Sequence, residues 1–480
     1  MLRLGEKYGH LARRAGCGCC NPDLHKASRR LAAFSRRGLL GGAAAATVAG
    51  LLPRSAGAQT SAPPSRILFR EARLFDSVSG QVKERAQLLV ENNRIASVDF
   101  SNAPPPGDAT VIACRNGVLL PGLIDAHWHA IFAAVPLNIL LNGDPGIIFA
   151  ASTAEANRTL LRGFTTIRDL GGPVFSFKQA IDSGVIPGPR IFPSGALITT
   201  SGGHGDLRLP SEIPRDGGRL SKGELIGGAA IVDSLGDLKM RVREQLLQGA
   251  SQIKLMGGGG VSSPRSPLDI LTFSEDELRT AVAVAQDWNT YVTVHAYTSR
   301  AIQRSLAAGV TSIEHAHLMD EGTARMIAEK GAWLSTQPFL SMEDADSQSG
   351  PGVERAQQIF VGTPKIYKFA RSLGIKTAWG SDVLFSPALT QRQNIMLTHL
   401  SNWYTNAEAL QMATSGNAAL LQLSGPRNPY PAPIGVLAEG ALADILVVNG
   451  NPLDDFKLLE DPHRNFTVIM KDGRLHKNLL

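Results

Sequence analysis

The feature that most constrains the fold of this 480-residue chain is a series of apolar, strand-like runs that alternate with amphipathic helical stretches. Helical patterns such as those of residues 275–288 and 298–308 separate the runs. This alternation indicates βα units and a parallel sheet. Eight runs can be counted, and eight βα units form a (β/α)8, or TIM, barrel, whose active sites lie at the carboxyl ends of the strands. The runs end near His129 and within residues 165–169, 190–196, 252–256, 291–295, 312–315, 332–336 and 376–382.

Shorter strand-like runs lie on both sides of the predicted barrel. Residues 67–69, 87–90 and 94–98 precede it, and residues 444–448 and 466–470 follow it. We expect these runs to form a small β-sandwich built from both termini, beside an α/β barrel. The predicted domains are therefore residues 59–120 and 425–480 for the two halves of the sandwich, and residues 121–424 for the barrel.

The first 58 residues resemble a twin-arginine (Tat) export signal. Arg36 and Arg37 precede a modestly hydrophobic run, residues 41–52, that is too short to span a bilayer. Small residues at positions 56–58 offer a cleavage site. The pattern predicts export by the Tat machinery to the periplasm or the medium, without stable membrane insertion after cleavage. A disordered basic tail and an uncleaved anchor are the alternatives.

The charge of the chain is concentrated in this leader. The formal net charge is +6, but residues 1–58 hold ten Lys and Arg against two acidic residues, which leaves 38 basic and 40 acidic residues in the remainder. A nearly neutral body gives no reason to expect nucleic acid as a partner. Of the four cysteines only Cys114 lies outside the leader, so the body can form no internal disulfide.

His127 and His129 end the first apolar run and are one residue apart. Alternate side chains of a strand point to the same side, so the two imidazoles leave the strand as a pair. A metal site is the leading interpretation of such a pair, although a core or surface pair also occurs by chance.

Further polar residues stand where other apolar runs end, and a barrel would bring them all to one axis. The six candidate metal ligands are His127, His129, Lys254, His295, His315 and Asp382. A buried, unpaired ammonium among metal ligands would be costly. A neutral lysine can instead react with CO2 to give a carbamate, an anionic oxygen donor that can bridge two cations. Pairing of Lys254 with an acid, or its reach to solvent, is the alternative.

These motifs resemble those of the amidohydrolase superfamily in its binuclear form with a carboxylated lysine. The resemblance covers residues 66–480 and is closest to the branch of imidazolonepropionase-like proteins and Xaa-Pro dipeptidases, or prolidases. Imidazolonepropionases lack the lysine ligand, so Lys254 argues against that activity. The motifs are residues 121–129, 253–256, 294–297, 313–317, 380–382 and 440–448.

The resemblance implies two divalent metal ions, expected to be zinc. His127, His129 and Asp382 would hold one ion, His295 and His315 the other, and the carboxylated Lys254 would bridge them. Two cations turn water into hydroxide near neutral pH and polarise the scissile carbonyl. Asp382 would then be the general base that takes the proton and passes it to the leaving amine.

The resemblance also suggests residues that contact substrate. His204 and Tyr297 are candidates for polarising the carbonyl or binding a substrate carboxylate, and a loop histidine and a packed tyrosine are the alternatives. His317 shares a strand face with His315 and competes with it as the metal ligand. The family pattern favours the histidine after Glu314, so His317 is expected to face substrate or to support the metal site. Asp125 is a candidate for orienting a metal histidine, and Arg168 and Asp169 are interpreted as a structural pair.

The sequence therefore predicts an exported, metal-dependent enzyme that hydrolyses a C–N amide bond of an Xaa-Pro dipeptide or an N-acyl amino acid. The alternatives for the same site are hydrolysis of a lactone or a cyclic imide, or deamination of a small molecule. A barrel that has lost its activity and serves as a scaffold is a more distant alternative. Relatives are often oligomers, which leaves a homo-oligomer open.

Overall fold

The computed structural model describes residues 66–215, 219–263, 265–345 and 351–480. The signal peptide predicted for residues 1–58 lies outside the described residues. In the described part of the chain no helix combines the length and the apolar character that crossing a membrane requires.

Segments from both ends of the described chain join in one eight-stranded sheet. β16 pairs antiparallel with β5, opposing Ile445 to Pro121, and so connects the two ends. The predicted association of the terminal runs is therefore observed, within a single sheet. Its strands are β1 (Arg66–Asp76), β2 (Gln81–Glu91), β3 (Arg94–Asp99), β4 (Thr110–Ala113), β5 (Val118–Pro121), β16 (Ile445–Val448), β17 (Phe466–Lys471) and β18 (Arg474–Asn478), in the order β18-β17-β16-β5-β1-β2-β3 with β4 on β1.

Between these segments lie two parallel sheets, one of three strands in the order β6-β7-β8 and one of seven in the order β10-β9-β11-β12-β13-β14-β15. Each of the eight predicted runs overlaps one of these strands. The short strands β9 and β10 were not expected. The strands are β6 (Leu123–Trp128), β7 (Phe164–Asp169), β8 (Arg190–Pro193), β9 (Leu197–Thr199), β10 (Ala229–Ile231), β11 (Ile253–Met256), β12 (Val292–Thr298), β13 (Ser312–Leu318), β14 (Trp333–Thr336) and β15 (Thr377–Trp379).

Helices connect most of the parallel strands, and their sequences carry clear start signals. Ser274 and Glu277 form a capping box at the start of the helix Glu275–Asp287. The side chain of Asp320 caps the start of the helix Glu321–Glu329. The α-helices are Leu137–Asn142, Pro145–Leu161, Phe175–Asp182, Lys222–Leu225, Leu235–Gln248, Glu275–Asp287, Ser299–Ala307, Glu321–Glu329, Pro351–Ser372, Gln393–Thr398, Asn406–Gln411, Asn417–Leu421 and Pro462–Asn465.

The parallel strands are buried on both faces. All six residues of β6 are buried, as are all four of β11 and the first six of both β12 and β13. Apolar side chains fill most of these positions, as expected for strands that are covered on both sides. The histidines and the lysine at the carboxyl ends of these strands are therefore buried as well.

Candidate active site

The six predicted metal ligands line one cleft at the carboxyl ends of the parallel strands. The cleft has an empty volume of about 920 Å³, including its opening to solvent. His127 and His129 come from the end of β6, Lys254 from β11, and His295 from β12. His315 lies in β13 and Asp382 follows β15. The structure therefore brings together residues that are as much as 255 positions apart in the sequence.

The side chain of Asp382 lies against both histidines of the His-x-His pair. Its Oδ1 is 3.0 Å from Nε2 of His127 and 3.3 Å from Nε2 of His129. The candidate ligand atoms of the three residues all lie within 4.8 Å of one another, a grouping that could hold a metal ion. Asp382 has a φ of 53°, which is strained for a non-glycine residue. Its amide donates to the carbonyl oxygen of His127 at 2.7 Å, and this bond holds the strained residue in place.

Hydrogen bonds at the far side of each ring orient the first pair of imidazoles. Nδ1 of His127 is 2.8 Å from Oε2 of Glu314, and Nδ1 of His129 is 3.1 Å from the carbonyl oxygen of Gly171. Both partners are acceptors, so each Nδ1 carries the proton and each Nε2 presents its lone pair to the cleft. This is the arrangement of a metal-binding histidine with its supporting acceptor.

His295 and His315 form a second pair on neighbouring strands, with ring centroids 4.4 Å apart. Nε2 of His295 donates to the carbonyl oxygen of Gly259 at 2.8 Å, which leaves Nδ1 unprotonated. Nδ1 of His315 is 2.8 Å from Oε1 of Gln337, and its backbone has a φ of 76°. Burial lowers the pKa of both imidazoles well below the ordinary value, so both are neutral and can donate lone pairs.

Lys254 lies in the same cleft and is buried. Burial lowers the pKa of its ammonium from 10.5 to about 8, although the charges of Glu314 and Asp382 act in the opposite direction. Part of the population is therefore the neutral amine near neutral pH, the form that can react with CO2.

The carboxylate of Asp382 is anionic. Burial favours its neutral form, but the adjacent imidazoles of His127 and His129 hold its pKa well below the ordinary range. The cleft thus offers four imidazole nitrogens, one carboxylate and a lysine that can become an oxygen donor. Nitrogen and oxygen donors in this combination fit divalent transition-metal ions.

The three predicted substrate residues are placed differently. His204 and Tyr297 line the cleft, and their rings lie 4.4 Å and 5.0 Å from the ring of His295. Nδ1 of His204 is buried without a hydrogen-bond partner among the described residues. His317 instead donates from Nε2 to the backbone carbonyl oxygen of Gln337 at 3.0 Å and stacks on Phe339.

Arg168 and Glu314 form a buried ion pair that was not predicted. Nη2 of Arg168 donates to Oε1 of Glu314 at 2.7 Å, and both side chains are fully buried. The expected pairing of Arg168 with Asp169 is wrong, because neighbouring residues of β7 point to opposite faces. Asp169 instead accepts from the backbone amides of Ala130 and Gly171, at 2.7 and 3.2 Å. The signal that could have identified Glu314 is an acidic residue within a strand that is otherwise buried.

Asp125 connects the beginning and the end of the series of parallel strands. Its carboxylate accepts from the amide of His127 at 3.0 Å, from the hydroxyl of Ser381 at 2.6 Å and from Nε2 of Gln393 at 2.9 Å. It therefore fixes the backbone of His127 and holds Ser381, the residue before Asp382. The expected orienting role of Asp125 is consistent with these contacts, which act through the main chain rather than through an imidazole.

The model of the amidohydrolase family matches residues 118–476, and the chain belongs to this family. It is 29% identical over 432 residues to an ochratoxinase of Aspergillus niger, covering 87% of this chain and 88% of that protein. A solved prolidase complexed with N-methylphosphonate-L-proline is 31% identical, with a TM-score of 0.78 over 86% of this chain and 100% of that chain. A Xaa-Pro dipeptidase with bound methionine in its active site is 27% identical, with a TM-score of 0.73 over the same shares.

These relationships define the class of the protein. It is a hydrolase that acts on C–N bonds, and its relatives include prolidases and an ochratoxinase. The fold is of the α/β type with parallel sheets, and the similarity to solved amidohydrolases implies a TIM-barrel-like domain.

Proposed function

We propose that the protein is an exported, binuclear metal-dependent amidohydrolase that cleaves the amide bond of Xaa-Pro dipeptides or N-acyl amino acids. The observation that carries the proposal is the convergence of the six candidate ligands on one cleft. All six are present, whereas a scaffold protein derived from such a site would have no need to retain them.

His127, His129 and Asp382 would hold one cation, and His295 and His315 the other. Lys254, once carboxylated, would supply oxygens to both. Zinc suits this set of nitrogen and oxygen donors. When bound, the cations supply Lewis acidity, which acidifies water and polarises the scissile carbonyl.

The residues of the chain then handle the proton and the substrate. Asp382, held anionic by its histidine neighbours, accepts the proton of the attacking water and passes it to the leaving nitrogen. His204 and Tyr297 line the cleft next to His295, where they can donate to the carbonyl oxygen or to a substrate carboxylate. Each imidazole is kept in its productive tautomer by an acceptor at its far nitrogen.

The preferred substrates follow from the relatives together with this chemistry. The prolidase and the Xaa-Pro dipeptidase named above act on dipeptides, and their structures cover the same 86% of this chain. An amide is also the bond whose leaving nitrogen needs the proton that Asp382 can supply.

The proposal includes a closed (β/α)8 barrel and a terminal β-sandwich. The bond between the amide of Asp382 and the carbonyl oxygen of His127 links the segment after β15 to β6, which supports closure. The strands contributed by both ends support the sandwich. Export rests on the twin arginines of the leader alone.

The test is a substrate panel for the full chain, loaded with zinc and CO2, and for its Asp382→Asn variant. The panel holds Xaa-Pro dipeptides, N-acyl amino acids, a lactone and a cyclic imide. We expect zinc-dependent release of amino acid from the first two groups, and little from the variant. Turnover of the lactone or the imide alone would replace the proposal by one of those activities. Purification without stoichiometric metal and without any turnover would favour a scaffold.

A further inference from the structure

A group of apolar side chains lies on one side of the cleft, beside the polar cluster. This apolar wall consists of Val261, Phe339, Ile359 and Phe360, all of which line the cleft. Its members come from three separate segments: the loop after β11, the segment after β14, and the helix Pro351–Ser372. Ile359 is 1% exposed, and the other three are half-buried. A surface assembled from separate segments is a wall of the site rather than an incidental feature of one loop.

The wall adjoins the reacting centre. Tyr297 and Ile359 belong to one packed apolar cluster, against which Val261 and Phe339 also pack. The ring of Tyr297 lies 5.0 Å from that of His295 and 4.8 Å from that of His315. When the scissile amide lies at the histidines, a side chain that touches the wall therefore belongs to a residue next to that amide.

The wall offers no free charge to a substrate. Asp344 is the one acidic residue that lines the cleft besides Asp382, within the described residues. It is buried, and its carboxylate accepts from Nη2 of Arg392 at 2.8 Å and from the amide of Leu340 at 2.9 Å. Its charge is thus paired with Arg392 and is not a free counter-charge for an ammonium group.

A charged substrate group on this wall would lose its hydration without gaining a partner, which is costly. An apolar group would instead be removed from water against four apolar side chains, which is favourable in proportion to its area. The wall therefore discriminates by both size and charge.

We propose that the apolar wall is a specificity pocket for substrates that carry a large apolar side chain, aromatic or branched aliphatic, on the residue adjoining the scissile amide. The proposal rests on the proposed amide hydrolysis and specifies its substrate class. Phe360 is the residue best suited to test it, because it lines the cleft from a half-buried helical position. Its neighbour Val361 is 81% exposed and does not line the cleft, which makes it a matched control.

The test uses two matched panels, N-acetyl-L-Xaa and Xaa-L-Pro, in which Xaa is Phe, Leu, Ala, Glu or Lys. For the full-length, zinc-loaded protein we expect kcat/KM for the Phe and Leu substrates to exceed that for the Ala substrate by about tenfold or more. We expect a larger margin over the Glu and Lys substrates. Phe360→Ala should reduce the ratio of Phe to Ala. Phe360→Arg should lower kcat/KM for Phe by about tenfold and raise the ratio of Glu to Phe by at least as much.

Val361→Arg adds the same charge to the same helix, and we expect it to leave every ratio within about twofold of wild type. Thermal melting of each variant verifies that the helix is retained. A wild-type protein that cleaves the panels but prefers Glu, Lys or Ala would overturn the specificity proposal and leave the amide hydrolysis intact. Equal ratios in Phe360→Arg and Val361→Arg would also overturn it. A protein that cleaves neither panel would remove both proposals.

Discussion

Glu314 accepts a hydrogen bond from Nδ1 of His127 through one carboxylate oxygen and from the guanidinium of Arg168 through the other, at 2.8 and 2.7 Å. Burial alone would raise the pKa of Glu314, but the charge of Arg168 and the hydrogen bond from His127 hold it well below the ordinary range. An anionic Glu314 can only accept, so it fixes the protonated nitrogen of His127 and leaves Nε2 for the cleft. A buried ion pair beneath the site thus determines the tautomer of a candidate metal ligand.

Glu314→Gln is expected to weaken the site and the fold together. The amide leaves Arg168 buried without its counter-charge, which costs about 3–5 kcal/mol in unfolding free energy, and it no longer requires the proton of His127 to be on Nδ1. We expect metal affinity to fall by about 10- to 100-fold, measured by titration of metal-free protein. The exposed ion pair of Glu321 with Arg325 provides the control, and a Glu314→Gln protein that matches Glu321→Gln in both measurements would contradict this account.

Lys254→Ala should remove most of the bound metal and of the activity. The variant has no side chain that can supply oxygens between the two imidazole pairs. The measurement is metal content per chain by elemental analysis, together with turnover of the best substrate. Lys368→Ala, at an exposed position of the helix Pro351–Ser372, should keep both values. Near-normal metal content in Lys254→Ala would exclude the bridging role.

Carboxylation of Lys254 should depend on pH in a defined direction. The reactive form is the neutral amine, and burial lowers the pKa of Lys254 to about 8. At constant CO2 pressure the rate of carbamate formation in metal-free protein should therefore rise by about tenfold between pH 7 and 9 and then level off. The appearance of a ¹³C-carbamate signal from ¹³CO2 measures it directly. A rate that keeps rising to about pH 10.5 would indicate an unshifted lysine.

Asp382→Asn should abolish turnover with little change in the backbone. Asparagine tolerates the positive φ of this position, so the strained turn can persist. The amide cannot take up the proton of the attacking water, and we expect kcat to fall by about 10²- to 10⁴-fold. Thermal melting and kcat measured on the same preparation separate the two effects. A variant with a wild-type kcat would show that another group is the base.

The sequence alone located most of the strands and the six candidate ligands, because each ligand ends an apolar run. It did not locate β9 and β10, since runs of three residues carry no measurable period. It also misassigned Arg168, because strand alternation points its side chain away from Asp169, and its partner Glu314 lies in β13, a strand of the other parallel sheet. The acceptors at Gly171 and Gly259 are backbone atoms, and no side-chain pattern announces them.

The pairing of β5 with β16 makes completion of the eight-stranded sheet a late event in synthesis. The amide of Gly122 donates to the carbonyl oxygen of Asp444 at 2.9 Å, directly ahead of the strand that carries His127. A nascent chain whose residue 448 has not yet left the ribosome has β1 beside β5 but lacks β16, the neighbour on the other side. The eight-stranded sheet is therefore completed only after the parallel strands β6 to β15 have all been synthesised.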